Sequence, residues 1–108
     1  MARISTHVLD IAKGAPAAGI AVELHFAGRL VAAAYTNADG RPNAPLLEGE
    51  RIAAGPWEIV FRVADYFPPV TPTFFDDITI RFLVSDETGN YHVPLLLAPH
   101  GYSTYRGS

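Results

Sequence analysis

Apolar residues recur at every second position through most of the chain, the period of a strand that turns one face to a core. In the stretch 20–26, Ile20, Val22, Leu24 and Phe26 share one face while Glu23 and His25 share the other. Trp57, Ile59, Phe61 and Val63 repeat the pattern with Glu58 and Arg62 opposite, and Ile78, Ile80, Phe82 and Val84 repeat it with Thr79, Arg81 and Ser85 opposite. These predict half-buried antiparallel strands and an all-β fold. A first strand is expected from about Ile4 to Ile11, ended by the breaker cluster Lys13-Gly14-Ala15-Pro16. Another runs from Leu30 to Thr36 and closes at Asn37-Ala38-Asp39-Gly40. Asp-Gly supplies the positive φ of a tight turn, which sets Arg41 just beyond a defined bend, and Pro42 biases Arg41 towards extended geometry. The stretch from Arg41 to Ala54 leaves room for a short edge strand near Leu46. Ala64-Asp65-Tyr66-Phe67 allows one helical turn at most, because Pro68 and Pro69 stop propagation.

The segment Tyr91-His92-Val93-Pro94-Leu95-Leu96-Leu97 differs from the others. Val93, Leu95 and Leu97 fill one face, yet Leu96 shares the opposite face with His92. A strand apolar on both faces needs a second layer outside it, and in so short a chain that layer is expected to be another subunit. Pro94 cannot donate to a ladder, so this strand is expected to be locally unpaired or to lie at an edge.

With 108 residues, 49% hydrophobic and 18% charged, the chain is expected to form one domain over residues 1–108 rather than a disordered polymer. Its formal charge of −3 gives no sign of a nucleic-acid partner. The absence of Cys excludes a disulfide framework, a thiolate zinc site and a Cys nucleophile. No apolar run approaches the roughly 18 residues that would span a bilayer, and the opening residues lack the apolar stretch of an export signal. No membrane partner is expected, and the cytoplasm is the expected compartment, with the periplasm open to a mature form.

Four histidines, His7, His25, His92 and His100, are the side chains that ordinarily titrate near neutrality. His25 alternates with Glu23 on a polar face and His100 lies in the turn signal Pro99-His100-Gly101, so both read as solvent-exposed. His7 shares its face with Leu9 and Ile11, and His92 with Leu96, which marks this pair either as satisfied interface histidines or as acid–base groups. Their spacing completes no metal-ligand set, and no phosphate loop, dinucleotide fingerprint or Gly-x-Ser-x-Gly elbow is present. Arg41 and Arg106 are fixed cations able to grip a planar, oxygen-rich anion, though either alone also reads as a surface Arg. Tyr105 and Ser108 offer hydroxyls, and Ser108 also ends the sequence.

Taken together, Ser5-Thr6-His7-Val8-Leu9-Asp10, Thr36-Asn37-Ala38-Asp39-Gly40-Arg41, and Tyr91 to Leu97 running on to the closing Tyr105-Arg106-Gly107-Ser108 resemble the 5-hydroxyisourate hydrolases, also called transthyretin-like proteins. The resemblance covers essentially the whole chain. Its ending and two histidine motifs separate it from the hormone-carrying transthyretins on the same scaffold. It implies a transthyretin-like β-sandwich of about eight strands with one short helix, assembled as a homotetramer, a dimer of dimers with active sites in the channel between dimers. The implied reaction, in urate (purine) degradation, is hydrolysis of 5-hydroxyisourate to 2-oxo-4-hydroxy-4-carboxy-5-ureidoimidazoline, with no cofactor and no metal. By motif, His7, Arg41, His92 and Ser108 match the family's catalytic set, with His7, Arg41 and Tyr105 contacting substrate. Which histidine takes the water's proton, and whether Ser108 acts by hydroxyl or carboxylate, stay open. Ala98 stands where the family often has Ser, and His100 where Tyr is common. Two other classes compete: a carrier of a planar aromatic ligand in the same channel, and a sandwich interaction module. The titratable groups argue against the carrier, which needs an apolar channel.

Overall fold

The computed structural model describes residues 1–108. The chain forms nine strands: β1 (Ala2–Asp10), β2 (Ala15–Pro16), β3 (Ala21–Phe26), β4 (Arg29–Tyr35), β5 (Leu47–Gly49), β6 (Gly55–Arg62), β7 (Ile78–Val84), β8 (Asn90–Ala98) and β9 (Gly101–Thr104). One sheet runs β2-β1-β8-β9, with β5 pairing the first residues of β1, and the other runs β4-β3-β6-β7. The alternation in the sequence becomes the sandwich core. Ile4 and Val8 of β1 and Leu95 and Leu97 of β8 meet Val22, Leu24, Ile59 and Phe61 of the second sheet, all at 1% exposure or less. Each such side chain contributes roughly 1.5–3 kcal/mol relative to exposure.

The expected short helix is absent. Ala64-Asp65-Tyr66 makes a turn in which the Tyr66 N–H donates to the Val63 carbonyl at 3.1 Å. Pro68 and Pro69 prevent further turns, and the Tyr66 hydroxyl is drawn to Asp10, donating to Oδ2 at 2.8 Å. Asp10 is 1% exposed, and its Oδ1 accepts the N–H groups of Ala12 and Lys13, each at 3.0 Å. Burial, together with the bond to Asp10, pushes the Tyr66 phenol up to about 12.

Of the two outcomes expected from Pro94, the edge position is not found, whereas the local gap is, since the pairing with β9 stops at Leu95. β8 lies between β1, which it pairs in parallel from Arg3↔Asn90 to Asp10↔Leu97, and β9, which it pairs antiparallel. The ladder is reinforced there by side chains: the Thr6 hydroxyl donates to the Val93 carbonyl at 2.6 Å and the Thr104 hydroxyl to the Pro94 carbonyl at 2.8 Å. The parallel register decides the geometry of the site, because it places Ser5 opposite His92 and His7 opposite Pro94 on adjacent strands.

Candidate active site

With Ile4, Thr6 and Val8 turned inward, β1 presents Arg3, Ser5 and His7 on the outer face of its sheet. On β8 the inward set Tyr91, Val93 and Leu95 leaves Asn90 and His92 on that same face. Ser5 Oγ lies 2.9 Å from His92 Nδ1. The end of the chain returns to β8 through an isolated bridge in which the Gly107 N–H donates to the His92 carbonyl at 2.8 Å. Only glycine fits at 107, because a Cβ there would collide with Cδ2 of the His92 ring.

Arg41 is delivered to the same face by a clamped turn. Asn37 Oδ1 accepts the Asp39 N–H at 2.9 Å and the Arg41 N–H at 3.3 Å, while the Gly40 N–H donates to the Asn37 carbonyl at 2.9 Å. The turn is pinned to β1 where the Val8 N–H donates to the Gly40 carbonyl at 2.8 Å. Gly40 has φ +77, and a Cβ there would strike the Val8 carbonyl oxygen and lie 3.2 Å from Cδ2 of His7. The glycine thus permits both the bend and its close seat beside His7.

Arg41, His92 and Ser108 line one open cavity of about 580 Å³ together with Arg3, Ser5, Asn90, Arg106 and Gly107. No hydrophobic, Asp or Glu side chain lines it. Two of its three guanidinium groups are engaged. Arg3 pairs with Glu48 at 2.7 Å, and Arg106 donates to the Asn90 carbonyl at 3.1 Å and stacks over the Tyr91 ring at 4.7 Å. Arg41 makes no side-chain hydrogen bond or ion pair, so its charge faces the cavity without a counterion. Burial, and secondarily the positive charges of Arg41 and His7, hold the His92 imidazole below its ordinary 6.5. Around neutral pH His92 is therefore uncharged. No three His, Asp or Glu side chains converge as a metal-ligand set.

His7 is not among the residues lining this cavity, but it lies close enough for its charge to act on His92. Tyr105 lies elsewhere. It is 59% exposed and borders a separate, mainly apolar groove of about 220 Å³ with Ile80, Phe82 and Leu83 of β7 and Tyr91 of β8. The fold thus gathers Arg41, His92 and Ser108, with His7 at the margin, and leaves Tyr105 apart. His25 lies on the other sheet, where its Nε2–H donates to Glu23 at 2.9 Å, and His100 is exposed in the turn between β8 and β9. Four cavity residues escaped the sequence reading: Arg3, Ser5, Asn90 and Gly107. A signal existed for three of them, since Arg3, Ser5 and Asn90 each stand at an even spacing from His7 or His92 and so share its strand face.

The arrangement combines an uncharged imidazole, an unpaired guanidinium and hydroxyl groups in a polar cavity. That set can orient a water molecule, move its proton and stabilise an oxyanion.

Residues 4–107 match the family described as HIUase/Transthyretin. The chain is 49% identical to the 5-hydroxyisourate hydrolase of Deinococcus radiodurans, over 97% of this chain and 95% of that protein. Among solved structures, the 5-hydroxyisourate hydrolase of Klebsiella pneumoniae superposes with a TM-score of 0.86 at 36% identity, covering 98% of this chain and 99% of that one. An (S)-allantoin synthase superposes with a TM-score of 0.87 at 36% identity. There the match covers 99% of this chain but 44% of the synthase chain, so the present chain spans less than half of that protein.

Proposed function

The chain belongs to the HIUase/Transthyretin family, and from that premise we propose that it hydrolyses 5-hydroxyisourate to 2-oxo-4-hydroxy-4-carboxy-5-ureidoimidazoline. The reading is carried by one observation: Arg41, without a counterion, shares a wholly polar cavity with His92 and Ser108 in a chain nearly half identical to a 5-hydroxyisourate hydrolase.

The chemistry follows from those groups. Water adds to a ring carbonyl, an imidazole removes its proton, and the carbonyl oxygen gains negative charge. Arg41 meets that charge, and a fixed cation there is most effective once the open cavity is closed off from bulk water. The C–N bond then breaks, the ring nitrogen takes up that proton, and the carboxylic acid formed releases the water's second proton to solvent to leave a carboxylate. Ser108, beside His92 in the same cavity, orients the imidazole or the water. Positioned proton transfer of this kind contributes about 10²- to 10⁴-fold. A carrier of planar aromatic ligands is not favoured, because the lining has no hydrophobic side chain.

The assembly proposed is a homotetramer. Its support is the outer face of β1 and β8, where Leu9 and Leu96 are half-buried beside the polar cavity and have no second layer within the chain. A second copy laid on this face would narrow the cavity into a channel and bring other side chains to it.

The decisive experiment follows the ultraviolet absorbance of freshly generated 5-hydroxyisourate. The protein should accelerate its loss well above the spontaneous rate, and an unchanged decay would remove the hydrolase reading.

A further inference from the structure

The two histidines beside the cavity have different surroundings. The His92 ring makes one side-chain contact, from Nδ1 to Ser5 Oγ at 2.9 Å, with Gly107 packed close to its Cδ2 edge, and its backbone is fixed by β1 and the Gly107 bridge. Its Nε2 makes no hydrogen bond within the protein, and neither ring nitrogen of His7 does. The Ser5 hydroxyl has a single protein partner, Nδ1 of His92. The hydroxyl can donate to Nδ1 or accept from it, and where it donates, the ring nitrogen that accepts carries no proton of its own. A neutral imidazole accepting at Nδ1 must carry its proton at Nε2.

We propose that Ser5 is a positioning residue that donates to Nδ1 of His92 and holds the ring as the Nε2–H tautomer, making His92 a hydrogen-bond donor to the substrate and leaving His7 as the base. Its catalytic part rests on the hydrolase reading above. His92 Nε2–H supports the carbonyl oxygen as it becomes negative, alongside Arg41, and keeps its proton throughout. His7 takes the proton from water as the C–O bond forms, then gives it to the ring nitrogen as the C–N bond breaks, and ends the cycle neutral. The carboxylic acid so formed releases the water's second proton to solvent, and the product carboxylate is the one anion left. The lowered proton affinity of His92 fits a group that stays uncharged. The positive charges of Arg41 and His7 also oppose its protonation.

The first test needs no substrate. In ¹⁵N-labelled protein at a pH where His92 is neutral, its ring nitrogens should show Nε2 protonated and Nδ1 bare. S5A should shift the ring towards a tautomer mixture, and S5T should restore the bias. A wild-type ring protonated at Nδ1, or an S5A ring with unchanged nitrogen shifts, would overturn the assignment. The second test separates donor from base. Because a glutamine amide donates but is no base, H92Q should retain at least about 10-fold more activity than H92A, while H7Q should be as slow as H7A. The reverse ranking would overturn the division of roles. S5A should lower kcat about 10-fold with KM held within about twofold, and S5T should recover most of the loss. Recovery of nothing by S5T, with the fold intact, would sink the positioning role. Should the wild type fail to open the ring at all, the hydrolase reading falls, while the tautomer measurement still decides what Ser5 does to His92.

Discussion

Arg41 carries the largest electrostatic share of the proposed chemistry, since Glu48 engages Arg3, and Arg106 is held by a carbonyl and a ring. Replacing it by Ala should reduce kcat by about 10²- to 10³-fold, the cost of losing one preorganised oxyanion partner. Lysine should recover little, because an ammonium lacks the planar fork. Steady-state rates on folded variants check both expectations, and an Arg41→Ala enzyme at full rate would remove the guanidinium from the mechanism. The lowered proton affinity of His92 has a consequence for pH as well. Unfolded, the imidazole titrates near 6.5; folded, it titrates lower, with burial as the main cause. Between those values the unfolded chain binds more protons, so stability rises with pH there. The contribution is complete above about 6.5 and disappears as pH falls through the folded value. Denaturant midpoints should therefore drop on acidification across this window, and less so in His92→Gln. An NMR titration of His92 with a midpoint at or above 6.5 would contradict the burial argument.

At the scale of elements, the hairpin joining β3 to β4 contains a correctable strain. Ala27 and Gly28 form its two-residue loop with φ of 52° and 76°, the pairing that matches the twist of adjacent strands. Glycine adopts that region freely, whereas alanine is forced into it. Ala27→Asn should stabilise the protein by about 0.5–1 kcal/mol, read as a higher urea midpoint with an unchanged slope. A lower midpoint would mean that Ala27 is not strained. This hairpin also shows why the sequence is legible only in part. Strand periods are local, so β1, β3, β4, β6, β7 and β8 follow from alternation within a residue or two of their ends. Pairing is not local. Nothing in Pro94 announces that β8 runs parallel to β1 in mid-sheet, and β9 is too short and too polar to stand out from the turn before it. The site follows the same division. His7, His92 and Arg41 could be singled out by residue type and by the Asp-Gly turn, but the Ser5–His92 contact needed the register between strands 87 residues apart.

At the scale of the whole molecule, the single chain leaves its site unfinished on one side. The cavity is open, His7 lies at its margin, and half-buried Leu9 and Leu96 share its sheet face. Covering such a face with a second copy removes apolar area from water and confines the polar groups, and confinement is what makes the charge of Arg41 effective. The proposed tetramer therefore predicts a solution mass about four times the 11.7 kDa of the chain, measurable by light scattering. Leu96 offers the sharper probe. Its side chain points outward from a strand whose inward neighbours Leu95 and Leu97 hold the core, so Leu96→Asp should spare the fold while placing a charge where the partner would pack. The variant should show native-like circular dichroism, a smaller mass and a ring-opening rate at least about 10-fold lower, as expected if confinement supplies much of the oxyanion stabilisation. If Leu96→Asp kept both the mass and the rate of the wild type, this face would not be where the subunits meet. If the mass fell while the rate held, the chemistry would not depend on this contact.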